Sequence, residues 1–181
     1  MSRPPTSLVM IVTGDGKGKT TSAFGQALRA AGTGMPVAII QFIKGSWKTG
    51  EVTALASTEL PISVERTGLG FTIERLRDPR IPMSAHVLAA RDGLERARAH
   101  LTSGEVGLVV LDEILGAINA DLISEAEVLE LIDGRAEGVH VLLTGRDAPA
   151  RLVERADLVS EVRLIRHHHE RGVTAQRGIE F

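Results

Sequence analysis

Apolar residues in this chain fall into short, dense runs set apart by polar and glycine-rich stretches. Five runs rich in Val, Ile and Leu stand out: Leu8–Val12, Val37–Phe42, Val106–Leu111, Val139–Leu143 and Leu158–Ile165. Their length and β-branched content predict strands. The run Leu108-Val-Val-Leu111 is continuous rather than alternating, which suits a sheet covered on both faces by crossover helices and therefore a parallel one. Leu158-Val-Ser-Glu-Val-Arg-Leu-Ile165 partly alternates apolar with polar positions, as expected of a strand with one wetter face at a sheet edge.

Helical patterns separate these runs. Thr20–Ala31 predicts a helix that stops at the C-terminal glycine Gly32. From about Ser84 to Ser103, Val87, Leu94 and Leu101 recur every seven residues with Leu88 and Ala97 beside them, and charged residues fill the gaps, giving one buried stripe. Ser124 and Glu127 form an S-x-x-E capping box ahead of Val128, Leu129 and Leu131, and Asp147 and Pro149 mark a further helix start before Leu152 and Val153. Between Lys44 and Pro82 the pattern breaks down under glycines and prolines. Loops are expected there, with Ile62–Arg66 as its clear strand, and such irregular segments often carry binding functions. The alternation of strand and helix predicts an α/β fold with a mostly parallel sheet flanked by helices, as a single domain over residues 1–181.

Composition narrows the chemistry. The 181 residues carry 21 Lys and Arg against 23 Asp and Glu, with only four Phe and one Trp, so there is no basic footprint for nucleic acid. Hydrophobic residues at 43% suffice for a core. Cysteine is absent, which excludes disulfides, thiolate metal sites and a Cys nucleophile. The start Met1-Ser-Arg-Pro-Pro lacks the apolar segment of a signal peptide and no run is long enough to span a bilayer, so a cytoplasmic location away from membranes is expected.

The strongest motif is Thr13-Gly-Asp-Gly-Lys-Gly-Lys-Thr-Thr21, directly after one apolar run and directly before a helical pattern. This is the context of a phosphate-binding loop. Glycines Gly14, Gly16 and Gly18 let backbone N–H groups converge on phosphate, the helix N-terminus adds partial positive charge, and Lys19 neutralises phosphate oxygens. Thr20 places a hydroxyl where Mg²⁺ bridging two phosphates is held. The pattern G-x-x-x-x-G-K-[ST] anchored on Gly18-Lys19-Thr20 asks for Gly at position 13, where this chain has Thr. A dinucleotide site fits less well, since Lys19 stands where the third glycine belongs. A second element, Val109-Val-Leu-Asp-Glu113, ends an apolar strand with two carboxylates, Asp112 and Glu113. At the carboxyl end of a parallel strand they face the same crevice and can order Mg²⁺ or its waters. The short run His167-His-His169 reads equally as a surface loop or as a ligand.

Together these residues resemble the P-loop corrinoid adenosyltransferases, which transfer adenosyl from ATP to cobalt in cobalamin and its precursors. The likeness runs through the phosphate loop, Leu28-Arg-Ala-Ala-Gly32, Gln41-Phe-Ile-Lys-Gly45 with Trp47 and Gly50-Glu51, Gly70-Phe-Thr72, Val110-Leu-Asp-Glu113, Leu143-Thr-Gly-Arg146, Ala156–Glu161 and Gly172–Phe181. The family shares the shortened loop, so Thr13 is a point of agreement. The resemblance implies a RecA-like homodimer that presents the 5′ carbon of ATP to Co(I) with triphosphate as leaving group. It also implies Mg²⁺ or Mn²⁺, a reduced corrinoid as second substrate and a flavoprotein reductant as a partner.

Carried over by position, Gly14, Asp15, Gly16, Lys17, Gly18, Lys19, Thr20 and Thr21 would hold triphosphate. Thr20, Asp112 and Glu113 would act at the metal, and Lys19, Glu113 and Arg146 in catalysis. Arg29 would lie near the nucleotide, as its own helix face permits or not, and Lys44 and Trp47 would cover nucleotide or corrin. Where the family reads G-F-T-W-E this chain has Gly70-Phe-Thr-Ile-Glu74. In the family the two aromatic side chains crowd the lower corrin face and favour reduction of four-coordinate Co(II). Phe71 is kept and Ile73 replaces the second, so activity is expected to survive with altered corrinoid preference. Two rival readings use the same motifs: a P-loop ATPase or kinase that cleaves at the γ-phosphate, and a non-catalytic corrinoid carrier.

Overall fold

The computed structural model describes residues 7–45, 49–72 and 76–180. Six strands, β1 (Val9–Thr13), β2 (Val37–Gln41), β3 (Ile62–Arg66), β4 (Leu108–Asp112), β5 (His140–Thr144) and β6 (Leu158–Glu161), form one sheet in the order β3-β2-β4-β5-β1-β6. Every pairing is parallel. Six helices connect them: α1 (Lys19–Ala31), α2 (Gly50–Leu55), α3 (Met83–Ser103), α4 (Ile114–Asn119), α5 (Glu125–Asp133) and α6 (Ala150–Arg155).

Both faces of the sheet are covered, which is why its central strands read as unbroken apolar runs. β2 and β4 are buried at every position. On one face Ile39, Val110 and Leu142 pack with Ala23, Phe24 and Ala27 of α1, joined by Val52 and Leu55 of α2. On the other, Ile40, Leu111 and Leu143 pack with α3 to α6 through Leu94, Leu101, Leu115, Leu131 and Leu152. Neighbouring positions on a strand serve opposite layers, as the two-residue strand period requires. β6 lies at the edge and is exposed along its length.

The structure moves several expected boundaries. β4 starts at Leu108 and takes in Asp112, and β6 ends at Glu161. Its chain nevertheless continues to pair, because Val162 N–H donates to Thr13 O at 2.8 Å and Val162 O accepts from Gly16 N–H at 2.7 Å. α1 does not stop on a left-handed Gly32, which stays right-handed at φ −62°. The reversal comes at Gly34 with φ +85°. On α3 the inward stripe is His86, Ala90, Gly93, Leu94, Ala97 and Leu101, while Leu88 is 70% exposed. The expected positions Val87, Leu94, Ala97 and Leu101 thus face the core, and only Leu88 of that stripe turns away from it. Between Lys44 and Pro82 a helix, α2, stands where only loop and strand were expected; having no fully buried residue, it leaves little periodic trace. The capping box of α5 forms in full, with Glu127 N–H donating to Ser124 Oγ and Ser124 N–H to Glu127 Oε2. Among the described residues no helix is long and apolar enough to cross a membrane.

Candidate functional site

In a parallel sheet the carboxyl ends of all strands lie on one edge, and ligands bind in the crevice there. Here that edge carries a cleft of about 660 Å³, lined by the phosphate loop Asp15–Thr21, by Lys44 and Glu51, by Phe71, Glu113 and Arg146, and by Leu164, His167 and Gly178–Glu180.

The loop that leaves β1 is held in shape from several sides. Gly14 (φ +100°) and Gly18 (φ +119°) take left-handed conformations that favour glycine. A Cβ at Gly14 or Gly16 would lie 2.5 or 2.7 Å from Val162 O, so the strand continuation after β6 grips the loop through the space where side chains are missing. Lys19 is only 7% exposed and its Nζ donates to Gly14 O (2.6 Å) and Gly16 O (2.8 Å), folding the loop around its own ammonium. Burial lowers its pKa, against the pull of Glu113. Gly18 caps α1 without a side chain, which leaves the first-turn N–H groups aimed into the cleft for an anion. Thr13 has its own task, because its Oγ1 accepts from Ala148 N–H at 3.3 Å and ties β1 to the segment after β5.

Asp112 is wholly buried, and both its oxygens are engaged. Oδ1 accepts from Thr20 Oγ1 (2.9 Å) and Thr144 Oγ1 (2.8 Å), while Oδ2 accepts from Gln41 Nε2 (2.9 Å) and lies 3.6 Å from Lys44 Nζ. The ends of β2, β4 and β5 and the start of α1 thus meet at one carboxylate. Asp112 thus holds the Thr20 hydroxyl and does not itself line the cleft. Glu113 is the carboxylate that does. It sits one residue beyond β4 in a left-handed conformation (φ +62°), with its N–H donated to Thr144 Oγ1 at 2.9 Å. Burial raises its pKa and the Asp112 charge raises it further, opposed by Lys19, Lys44 and Arg146.

Arg146 follows Gly145 at the end of β5, and its Nε lies 3.9 Å from Asp15 Oδ1. Gly145 has φ +145°, and a Cβ there would meet Leu115 Cβ at 2.6 Å, so the turn that delivers Arg146 packs directly on α4. Phe71 is partly exposed on the cleft wall. Arg29 is not brought to the cleft: it is exposed in the last turn of α1, at the end remote from Lys19. Ile73 and Trp47 lie outside the described residues.

The donors facing the cleft are hard oxygens, the Thr20 hydroxyl and the Glu113 carboxylate, which suit Mg²⁺ or Mn²⁺ held partly by phosphate and water. Among the described residues no group of three acidic, His or Cys side chains forms a cage. Such an ion therefore fits only together with a nucleotide, whose phosphate charge it would offset.

The sequence pattern described as ATP:corrinoid adenosyltransferase BtuR/CobO/CobP matches residues 5–181. The chain belongs to this family. It is 38% identical over 183 residues to a corrinoid adenosyltransferase of Pseudomonas aeruginosa, covering 99% of this chain and 86% of the relative. A corrinoid adenosyltransferase of a Sinorhizobium species is 39% identical, over 96% of this chain and 80% of that one. That of Escherichia coli K12 is 34% identical, over 96% and 85%.

Two buried side chains that hold Asp112 beneath the cleft were not named as candidate site residues. Gln41 and Thr144 are polar residues that close apolar strands, the same signal that drew attention to Asp112. Glu180 and His167 reach the cleft from the far end of the sequence, His167 from the histidine run and Glu180 from the segment Gly172–Phe181.

Proposed function

We propose that this chain transfers the 5′-deoxyadenosyl group of ATP to the Co(I) centre of a cobalamin or cobalamin precursor, with triphosphate as leaving group. The observation that carries this reading is the joining, in a member of this family, of a phosphate loop with the Asp112-Glu113 pair on one sheet edge. The cobalt electron pair forms the Co–C bond, the C5′–O bond breaks, and its electrons leave with triphosphate while Co(I) becomes Co(III). Because Co(I) brings no proton, no general base is required. The protein's work is alignment and charge stabilisation.

In this reading Gly14–Thr21 cradle triphosphate, and Lys19 and Arg146 counter the charge that grows on the departing oxygen. Thr20, fixed by Asp112, and Glu113 hold Mg²⁺ or Mn²⁺ against the phosphates. Phe71, on the cleft wall, faces the corrin. The protein acts as a single-domain subunit of a homodimer in the cytoplasm, with a flavoprotein as the reductant that supplies electrons to the corrinoid cobalt.

The test is anaerobic incubation of the protein with MgATP and cob(I)alamin. Light-sensitive adenosylcobalamin with free triphosphate is the expected result. Orthophosphate without cobalt alkylation would overturn the reading in favour of γ-phosphate cleavage, and corrinoid binding with neither product would do so in favour of a carrier.

A further inference from the structure

Among the described residues four cations line the cleft, Lys17, Lys19, Lys44 and Arg146, and four carboxylates line it with them, Asp15, Glu51, Glu113 and Glu180. Three of the cations are matched at close range within the chain. Lys44 Nζ is 3.6 Å from Glu51 Oε1, Arg146 Nε is 3.9 Å from Asp15 Oδ1, and Lys17 Nζ is 3.2 Å from Glu180 Oε2. A cleft read as a seat for triphosphate is thus neutralised by its own acids.

Glu180 differs from the other acids in origin and setting. It lies 163 positions after Lys17, beyond the short 3₁₀ turn His168–Arg171, and only 19% of its side chain is exposed. Its backbone is fixed by Glu180 N–H donating to Gln176 O at 2.8 Å, next to a left-handed Gly178 (φ +79°). Its second oxygen, Oε1, faces His168 Nε2 at 3.6 Å. The carboxylate therefore bridges the phosphate loop to the segment that follows β6, and gives Lys17 the anionic oxygen that a phosphate would otherwise supply.

We propose that Glu180 sets the affinity of the phosphate site: its carboxylate competes with the polyphosphate for Lys17, so nucleotide opens the bridge and its re-formation hastens departure of triphosphate. This rests on the adenosyl-transfer reading, because triphosphate is the product that must leave. A carboxylate held beside Lys17 both occupies the cation and repels an arriving anion, so removing its charge should strengthen anion binding. A residue needed only for local structure would weaken binding when changed.

The experiment is calorimetric titration of the full chain with Mg²⁺ and inorganic triphosphate, alongside stopped-flow measurement of its release. Glu180→Gln and Glu180→Ala are each expected to bind triphosphate about two- to fivefold more tightly than the parent, the range for loss of one partly exposed ion pair, and to release it more slowly. Lys17→Met, which removes the contested cation, is expected to bind triphosphate more weakly than the parent and to abolish the gain that Glu180→Gln otherwise gives. Unchanged or weaker binding in the Glu180 variants, with Lys19→Ala having lost it, would overturn this proposal alone. Equally poor binding by parent and Lys19→Ala would overturn the phosphate-site reading and this proposal with it.

Discussion

Glu113 is held in a way that serves a ligand at the expense of the empty fold. Its carboxylate is desolvated beside a buried Asp112, and both raise its pKa. With a native pKa above the unfolded one, the native state holds more protons between the two values, so the group's contribution falls as pH rises through the native pKa. Glu113→Gln is therefore expected to melt higher than the parent at neutral pH. The advantage should vanish below the ordinary glutamate range, where both states are protonated. The same variant should lose roughly 10²-fold or more in MgATP-dependent turnover, the cost of removing one charge-stabilising group from a preorganised site. Melting curves from pH 4 to 8 with parallel assays check both. At this scale the sequence was informative where polar residues close an apolar run, as Asp112, Glu113 and Arg146 do at strand ends or just beyond, and where a glycine-rich stretch leads into a helix, as at Lys19 and Thr20. It was silent where contact depends on the path of the chain. The exposed position of Arg29 follows from the rotation of α1, and the Lys17–Glu180 pair from a return of the chain that no spacing encodes.

At the scale of elements, the phosphate loop depends on a strand that bears no phosphate-binding residue. The continuation of β6 accepts from Gly16 N–H through Val162 O and comes within 2.8 Å of where a Gly16 Cβ would stand at Arg163 as well. Gly16→Ala forces backbone against backbone and is expected to cost about 1–3 kcal/mol, the range for overpacking, and to abolish triphosphate binding by displacing the loop. Denaturant melts and titration would register the two losses together. Ser124→Ala offers the contrast. It removes an N-cap from α5, which lies away from the cleft, and should cost about 1 kcal/mol with turnover unchanged. Strands and the capping box were legible because each buries or pairs in a periodic way. α2 was not, since a six-residue helix with no buried position has no stripe to read.

At the scale of the whole molecule, one sheet separates two apolar cores and carries the cleft on its carboxyl edge, so binding there stabilises the structure shared by both layers. MgATP at about 100 times its dissociation constant adds about 2.7 kcal/mol. For a chain of this size that corresponds to about 5–10 °C in the melting temperature. A single cooperative transition that moves as a unit is the expected outcome by calorimetry, and Lys19→Ala should abolish the shift. The α/β class and the parallel sheet were readable from continuous apolar runs alternating with amphipathic helices. Strand order was not, because it is set by which crossover passes over which neighbour, and β5 comes to stand between the loop-bearing β1 and the acid-bearing β4 with nothing in its own sequence to say so.

The two sides of the cleft are made differently. The loop after β1, Asp112, Glu113, Thr144 and Arg146 all stand at the ends of paired strands, where spacing is inherited from the sheet. Lys44, Phe71, Leu164 and Gly178–Glu180 stand on connecting segments that the sheet does not dictate. One wall of the cleft is thereby fixed by the sheet and the other by the path of the connections. Changes in these connections can reshape one wall of the cleft while the wall borne by the strand ends keeps its spacing.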